Sequence, residues 1–476
     1  MRKINYRNSL LPLTISISIG LPLLLWGSLS SHGTVFSRGS NIFFFIAISL
    51  FLYKFIKDII YSDISDCNLF NISIFNVLIK YYLCSLGVYF IFNLFLTHKI
   101  NVGIPFGHAG DFFHILDLAY ANSYSEISQI GYLPGLLSII KFISIIFMTK
   151  DGEIDRNFYG WALYLAILAI SLYIACRPAT RPNSAKIGLS IFFIFFTSYP
   201  FLLELERGNL VIFSMVFLAL SIQLFGGAWS GVFLGVFSTL KALNIVFLPS
   251  FLFSRKVNLI TLGIVILVSG AIFPIILFNL SGSQVDYGGL FGRLASTGSF
   301  QDAHVAVAHS GAYATLTFFQ NSGFFTHVDR QNFLRISIVL LLTFLFSYYF
   351  LEIYLFTVKK KFYSKKDLCF SLISIFIITK LFHQNNTDMN LVLLFPMMIQ
   401  LFLEKLNLTE KLIFSLLLLL LFPFYINILF AIEELNSMFY YSSRTLIFSL
   451  IYLNVLILSF FRFFEIFKRN VFINEE

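Results

Sequence analysis

The stretch GDFFHILDLAY puts Asp111 and His114 three residues apart, on one face of any helix that forms there. A carboxylate placed this way can take a proton from a hydroxyl group, with the imidazole beside it for contact to the same ligand. The bland alternative is that Asp111 merely caps the helix. Phe112, Ile115, Leu116 and Ala119 recur at spacings of three and four, so an interfacial helix with its apolar side against the membrane is expected from Asp111 to Tyr120. Lys241 falls near the middle of a long apolar run. A cation there is costly enough to mark a functional site, unless it snorkels or caps a broken helix. Lys80 and Lys141 lie nearer the edges of such runs, where snorkelling accounts for them. His304 and His309 are five apart beside Asp302, which is not the i, i+4 spacing of two zinc ligands on a helix. They read as polar contacts for a ligand or as ordinary loop residues. His383 opens HQNNTD at the mouth of a late apolar run, and Tyr132 lies in GYLPGL.

These residues need elements to hold them, and the composition says which. Of 476 residues, 58% are hydrophobic, 18% aromatic and 12% charged, and the mean hydropathy is +0.84. A soluble domain carries about twice that share of charge, roughly 25%. Soluble enzymes and nucleic-acid binders are thereby excluded, and the net charge of +9 is scattered, with no basic stripe. The four cysteines, Cys67, Cys84, Cys176 and Cys369, form no metal or redox spacing. The fold class expected is an all-α polytopic membrane protein of about 12–14 helices, at roughly 20 residues per crossing.

The apolar runs fall at 9–29, 41–60, 73–97, 133–149, 158–176, 187–203 and 208–225, then at 230–253, 258–279, 332–357, 367–382, 389–404, 411–431 and 442–461. The runs 133–149 and 187–203 are short, and either can be re-entrant. Arg2, Lys3 and Arg7 precede the first run, which is read as an uncleaved helix in preference to a cleaved signal. With both termini cytoplasmic, basic residues favour the inner side by roughly two to one. The loop CRPATRPNSAK, with Arg177, Arg181 and Lys186, objects by landing outside. Two long connections, 98–132 and 280–331, and the shorter 383–388 are expected on the outer face, where they would have to meet in one cavity. Three regions follow: N-terminal helices over 1–72, a central module over 73–405, and C-terminal helices with a basic tail over 406–476.

DFFHILDLAY followed by GYLPGL resembles the first outer loop of the C-superfamily glycosyltransferases, particularly the family 87 enzymes that use polyprenol-phosphate sugars. ERGNLVIFSMVFLAL resembles their Arg-Gly-Asn element, GVFLGVFSTLKALNIVFLPSFLFSRK their Gly, Lys and Pro span, and HQNNTDMNLVLLFPM their polar entry to a late span. The elements occur in the family's order over roughly residues 75–405. The chain departs in carrying a single proline at Pro134 and two extra N-terminal spans.

The resemblance implies that Asp111 is the catalytic carboxylate, and His114, Tyr132, Lys241, His304, His309 and His383 are the candidate substrate contacts. It also implies a polyprenyl-phosphate sugar donor, a glycan or glycolipid acceptor, surrounding membrane lipid and a site on the outer face of a bacterial plasma membrane. One base suffices chemically, because a phosphodiester-stabilised leaving group needs no general acid. No cofactor is expected; a divalent cation stays open. The competing readings are an O-antigen or capsule polymerase or ligase, which would use Arg293, Arg330, His304 and His309, and a lipid-linked sugar flippase.

Overall fold

The structure is a computed structural model that describes residues 10–19, 38–62, 72–97, 110–120, 133–149, 153–180, 185–254, 257–280, 311–321, 325–359, 364–382, 388–422 and 437–472. Among these residues every named element is helical, and Met148 and Ile154 form an isolated bridge. The helices are α1 (Leu10–Ile19), α2 (Arg38–Tyr61), α3 (Ile72–Thr97), α4 (Gly110–Tyr120), α5 (Pro134–Ile146), α6 (Phe158–Thr180), α7 (Ala185–Phe196), α8 (Tyr199–Arg207) and α9 (Val211–Gln223). Then come α10 (Ala228–Ser238), a 3-10 turn (Ala242–Phe247) running into α11 (Leu248–Phe253), and α12 (Leu259–Leu267), joined by a π turn (Val268–Ile272) to α13 (Phe273–Leu280). The rest are α14 (Ala312–Asn321), α15 (Arg330–Lys359), α16 (Lys365–Phe382), a 3-10 turn (Asp388–Leu393) leading into α17 (Leu394–Leu401), α18 (Leu408–Leu419) and α19 (Ser437–Phe472).

Among the described residues four stretches are long and apolar enough to cross a membrane: Phe158–Pro178, Leu259–Leu277, Arg330–Leu355 and Thr445–Ile466. A fifth, Gly188–Phe196 with Tyr199–Leu205, is bent by 62° at its break. The chain is thus an all-helical protein with membrane-suited helices. The runs 187–203 and 230–253 fold as broken helices and 133–149 as a short one. On α12, α13 and α15 large apolar side chains such as Ile260, Ile264, Val339 and Phe350 are exposed, as a lipid-facing surface requires. In contrast, α16 from Leu368 to Phe382 and α18 from Thr409 to Leu419 are buried on all sides. One apolar core runs from Ile15 to Phe463, so the terminal regions pack onto the central one.

Two runs do not cross. The run 230–253 is a hairpin: Asn244 Nδ2 donates to the Phe237 carbonyl at 2.7 Å near its tip, and Gly231 lies against Val257 and Asn258 at its base. The Phe251 ring returns to within 6.2 Å of Phe225. Lys241 therefore sits at the tip of a re-entrant hairpin. Such irregular backbone is tolerated at membrane depth where it is buried in protein or lines a cavity. The tip is level with the middle of the α12–α13 stretch, where Thr239 Oγ1 lies 3.2 Å from Ser269 Oγ. The run 133–149 also stays in one half of the molecule: α5, with 13 residues, rises only about 20 Å. It packs along the π turn and α13, the second half of that stretch.

These two re-entries explain the objecting basic loop. Gln223 Nε2 donates to the Ile174 carbonyl at 2.7 Å, and Lys365 Nζ to the Gln223 carbonyl at 2.8 Å. The end of α6 that carries Arg177 therefore lies with Lys365, at the end where the other basic residues gather. The expected placement of Arg177 on the opposite side is corrected, because α5 is not a crossing. At this basic end Arg462 donates to Glu410 at 3.0 Å and Asp367 at 2.6 Å, while Lys366 pairs with Glu410 at 3.0 Å. Lys411 Nζ caps the chain after α2 by donating to the Ser62 carbonyl at 2.8 Å. The network locks α16, α18 and α19 together.

Candidate functional site

At the other end, α4 forms where the apolar spacing predicts it, beginning at Gly110. Asp111 is its second residue, inside the first turn. The apolar side is buried by protein: Phe112, Ile115, Leu116 and Ala119 are all buried. The reason is aromatic packing. Phe112 lies 4.7 Å from Tyr164 and 5.4 Å from Phe147 between ring centroids, and Phe113 lies 5.7 Å from Trp161. The expected seat of this face on lipid is thus taken by α5 and α6. His114 is exposed. Asp117 on the same helix pairs with Arg156. Tyr164 then donates to the Glu204 carbonyl at 3.0 Å, which ties α4's platform to α8.

The hairpin tip meets the start of α5. Residues 239–241 leave helical conformation, with Lys241 extended at φ −148 and ψ 141. The Leu240 carbonyl accepts instead from the Leu133 backbone N–H at 3.2 Å. The approach is tight: a Cβ on Gly135 would come 2.4 Å from Thr239 Oγ1 and 2.7 Å from its carbonyl oxygen. Gly135→Ala is accordingly expected to push α5 off the tip, costing about 1–3 kcal/mol as overpacking does. Thermal unfolding in detergent checks this, and an unchanged midpoint would mean that the contact is loose.

Lys241 Nζ donates to Asn390 Oδ1 at 3.1 Å. Asn390 is buried, in the 3-10 turn that follows the connection 383–387. This turn packs on α8 and α9. On the other flank of the same connection, a Cβ on Gly311 would lie 2.3 Å from the Lys380 carbonyl oxygen. Gly311 has φ +116, a conformation open to glycine, and its N–H donates to Ser449 Oγ at 2.9 Å. The end of α16 therefore lies by Gly311, and the 3-10 turn that follows it in the chain lies by the hairpin tip. Four motif-bearing segments meet in this half of the molecule, those around Leu133, Glu204, Lys241 and Asn390.

Of the residues singled out from the sequence, the structure puts Asp111, His114 and Lys241 in this half. Tyr132, His304, His309 and His383 lie outside the described residues, as does Arg293. Tyr132 immediately precedes Leu133, and His383 immediately follows α16. Arg330 donates to Gln320 Oε1 at 2.6 Å, and Gln320 Nε2 to the Val328 carbonyl at 2.6 Å, so Arg330 takes part in closing the 322–329 connection. Among the described residues no group of three or more His, Cys, Asp and Glu gathers that could hold a metal ion.

Two residues escape the sequence reading. Asn390 belongs to a motif but gives no sign of its contact with Lys241, which is 149 positions away. Lys141 has partners that the sequence does not show: its Nζ donates to the carbonyls of Ala119 at 2.8 Å and Tyr120 at 3.0 Å, the last two residues of α4. No spacing in the sequence links it to them. Comparison of the chain with protein-family models, curated proteins and solved structures finds no match to any of them.

Proposed function

We propose that the chain is a membrane glycosyltransferase that moves a hexose from a polyprenyl-phosphate donor to a lipid-linked or surface glycan acceptor at the outer face of a bacterial plasma membrane. The observation that carries this reading is the contact of Lys241 with Asn390 at the tip of a re-entrant hairpin. A cation held at membrane depth on irregular backbone is costly, and binding an anionic head group on a lipid chain is a use that offsets the cost. The α4 helix docked in the same half supplies a carboxylate, Asp111. The basic residues at the far end of α16, about 27 Å away along that 18-residue helix, support an outward-facing site through the positive-inside rule.

In this mechanism the acceptor hydroxyl oxygen attacks the anomeric carbon and its proton passes to the Asp111 carboxylate. The bond from the anomeric carbon to the phosphate oxygen breaks, and the electron pair leaves with polyprenyl phosphate, whose charge Lys241 stabilises. One displacement inverts the anomeric configuration. His114, Tyr132, His304, His309 and His383 serve as contacts to sugar and acceptor hydroxyls.

The test is reconstitution of the full chain in liposomes with polyprenyl-phosphate mannose and a lipid-linked glycan acceptor, with no ion gradient. The reading expects a new glycosidic linkage of inverted configuration. Movement of the donor between leaflets without a new linkage would indicate a flippase instead. Joining of whole repeat units from polyprenyl-diphosphate carriers would indicate a polymerase.

A further inference from the structure

We propose that Lys141 is a positioning residue that sets the distance between Asp111 and Lys241, a role that rests on the reading of Asp111 as the base. The helix α5 touches both halves of the candidate site. At its start, Leu133 bonds to Leu240 and Gly135 presses on Thr239, so this end is fixed to the hairpin tip that presents Lys241. Seven residues after Pro134, about 10 Å further along the helix, Lys141 grips the end of α4 through the two carbonyls of Ala119 and Tyr120. One rigid element thereby links the base-bearing helix to the cation-bearing tip.

Phe112, Phe113, Ile115 and Leu116 bury one side of the helix, and the two hydrogen bonds from Lys141 fix its end in direction as well. An ammonium that holds two carbonyls at a helix C-terminus is directional and favoured by the helix dipole. Asp111 lies nine residues from Tyr120, about 13 Å along the axis. A tilt of about 5° about the capped end would therefore move it by about 1 Å, a displacement that can cost roughly a hundredfold in rate. The exposed side of α4 has its own tether in the Asp117–Arg156 pair, which joins it to the segment between α5 and α6.

The experiment compares Lys141→Met, Lys141→Arg and Asp111→Asn in the full chain reconstituted with polyprenyl-phosphate mannose and a lipid-linked glycan acceptor. Amide hydrogen exchange over residues 110–120 is measured alongside. Lys141→Met is expected to lower kcat about 10- to 100-fold, with donor KM within about twofold and an unchanged thermal midpoint. Exchange of the 110–120 segment rises, and Lys141→Arg restores most of kcat. Wild-type kcat in Lys141→Met beside an inactive Asp111→Asn would overturn the role of Lys141 alone. An active Asp111→Asn would remove the reading of the base beneath it. A fall in thermal midpoint that Arg does not rescue would make Lys141 a structural residue and overturn the proposal.

Discussion

Asp111→Asn is expected to reduce hexose transfer by about 10²–10⁴-fold, the range that a positioned general base contributes. Asparagine is the informative replacement because it keeps the size of the side chain and, like aspartate, suits the start of a helix. If Asp111 served only the helix, Asn would preserve α4 and with it the activity. If Asp111 accepts the acceptor's proton, the amide cannot do so at any pH. The thermal midpoint and the exchange protection of α4 should then stay near wild type while kcat collapses. Donor KM should change little, since the carboxylate acts on the acceptor hydroxyl.

The second large effect is expected at Lys241. Replacing it with Met removes the charge opposite the departing phosphate, and loss of one such electrostatic contact typically costs about 10²–10³-fold. Both kcat and donor KM should worsen, because the phosphate is charged before and during the reaction. The thermal midpoint is predicted to fall as well, because Met takes the donor from the buried Asn390 oxygen and the cation from the neighbourhood of the buried Glu204 carboxylate. A lysine that merely capped the break in the hairpin would give the falling midpoint with intact kinetics. Asn390→Ala is a milder version, leaving the charge but loosening its aim, since Lys241 Nζ donates to Asn390 Oδ1.

Helix identity was largely legible from apolar periodicity and run length. The spacing of Phe112, Ile115, Leu116 and Ala119 located α4 to within a residue, and the runs 158–176, 258–279 and 332–357 reappear as Phe158–Thr180, Leu259–Leu280 and Arg330–Lys359. What run length does not report is whether an apolar stretch crosses. The run 230–253 is long enough to span, yet it turns back at Lys241 because the Leu240 carbonyl finds its partner in Leu133, more than a hundred residues earlier. The run 187–203 bends by 62° beyond Phe196. The first turn is set by tertiary hydrogen bonding and close packing, which hydropathy cannot see, and the second coincides with Pro200 in the first turn of α8.

The candidate site divides in the same way. Lys241 stands out because a charge in an apolar setting is costly and therefore rare, and Asp111 through its spacing from His114 and the motif it opens. The cost does not tell which role is played: Lys141 carries the same signature and turns out to hold the end of α4. Correcting α5 to a re-entrant helix also removes the conflict over Arg177, so that charge placement and helix packing now agree on which end is basic.

Mass spectrometry of lipid-linked glycans tests the central claim most directly, comparing cells that produce the wild-type chain with cells that produce Asp111→Asn at equal levels. The account predicts a glycan larger by one hexose in the wild type, and accumulated polyprenyl-phosphate hexose with unextended acceptor in the variant. Identical glycan and donor profiles in the two would contradict it.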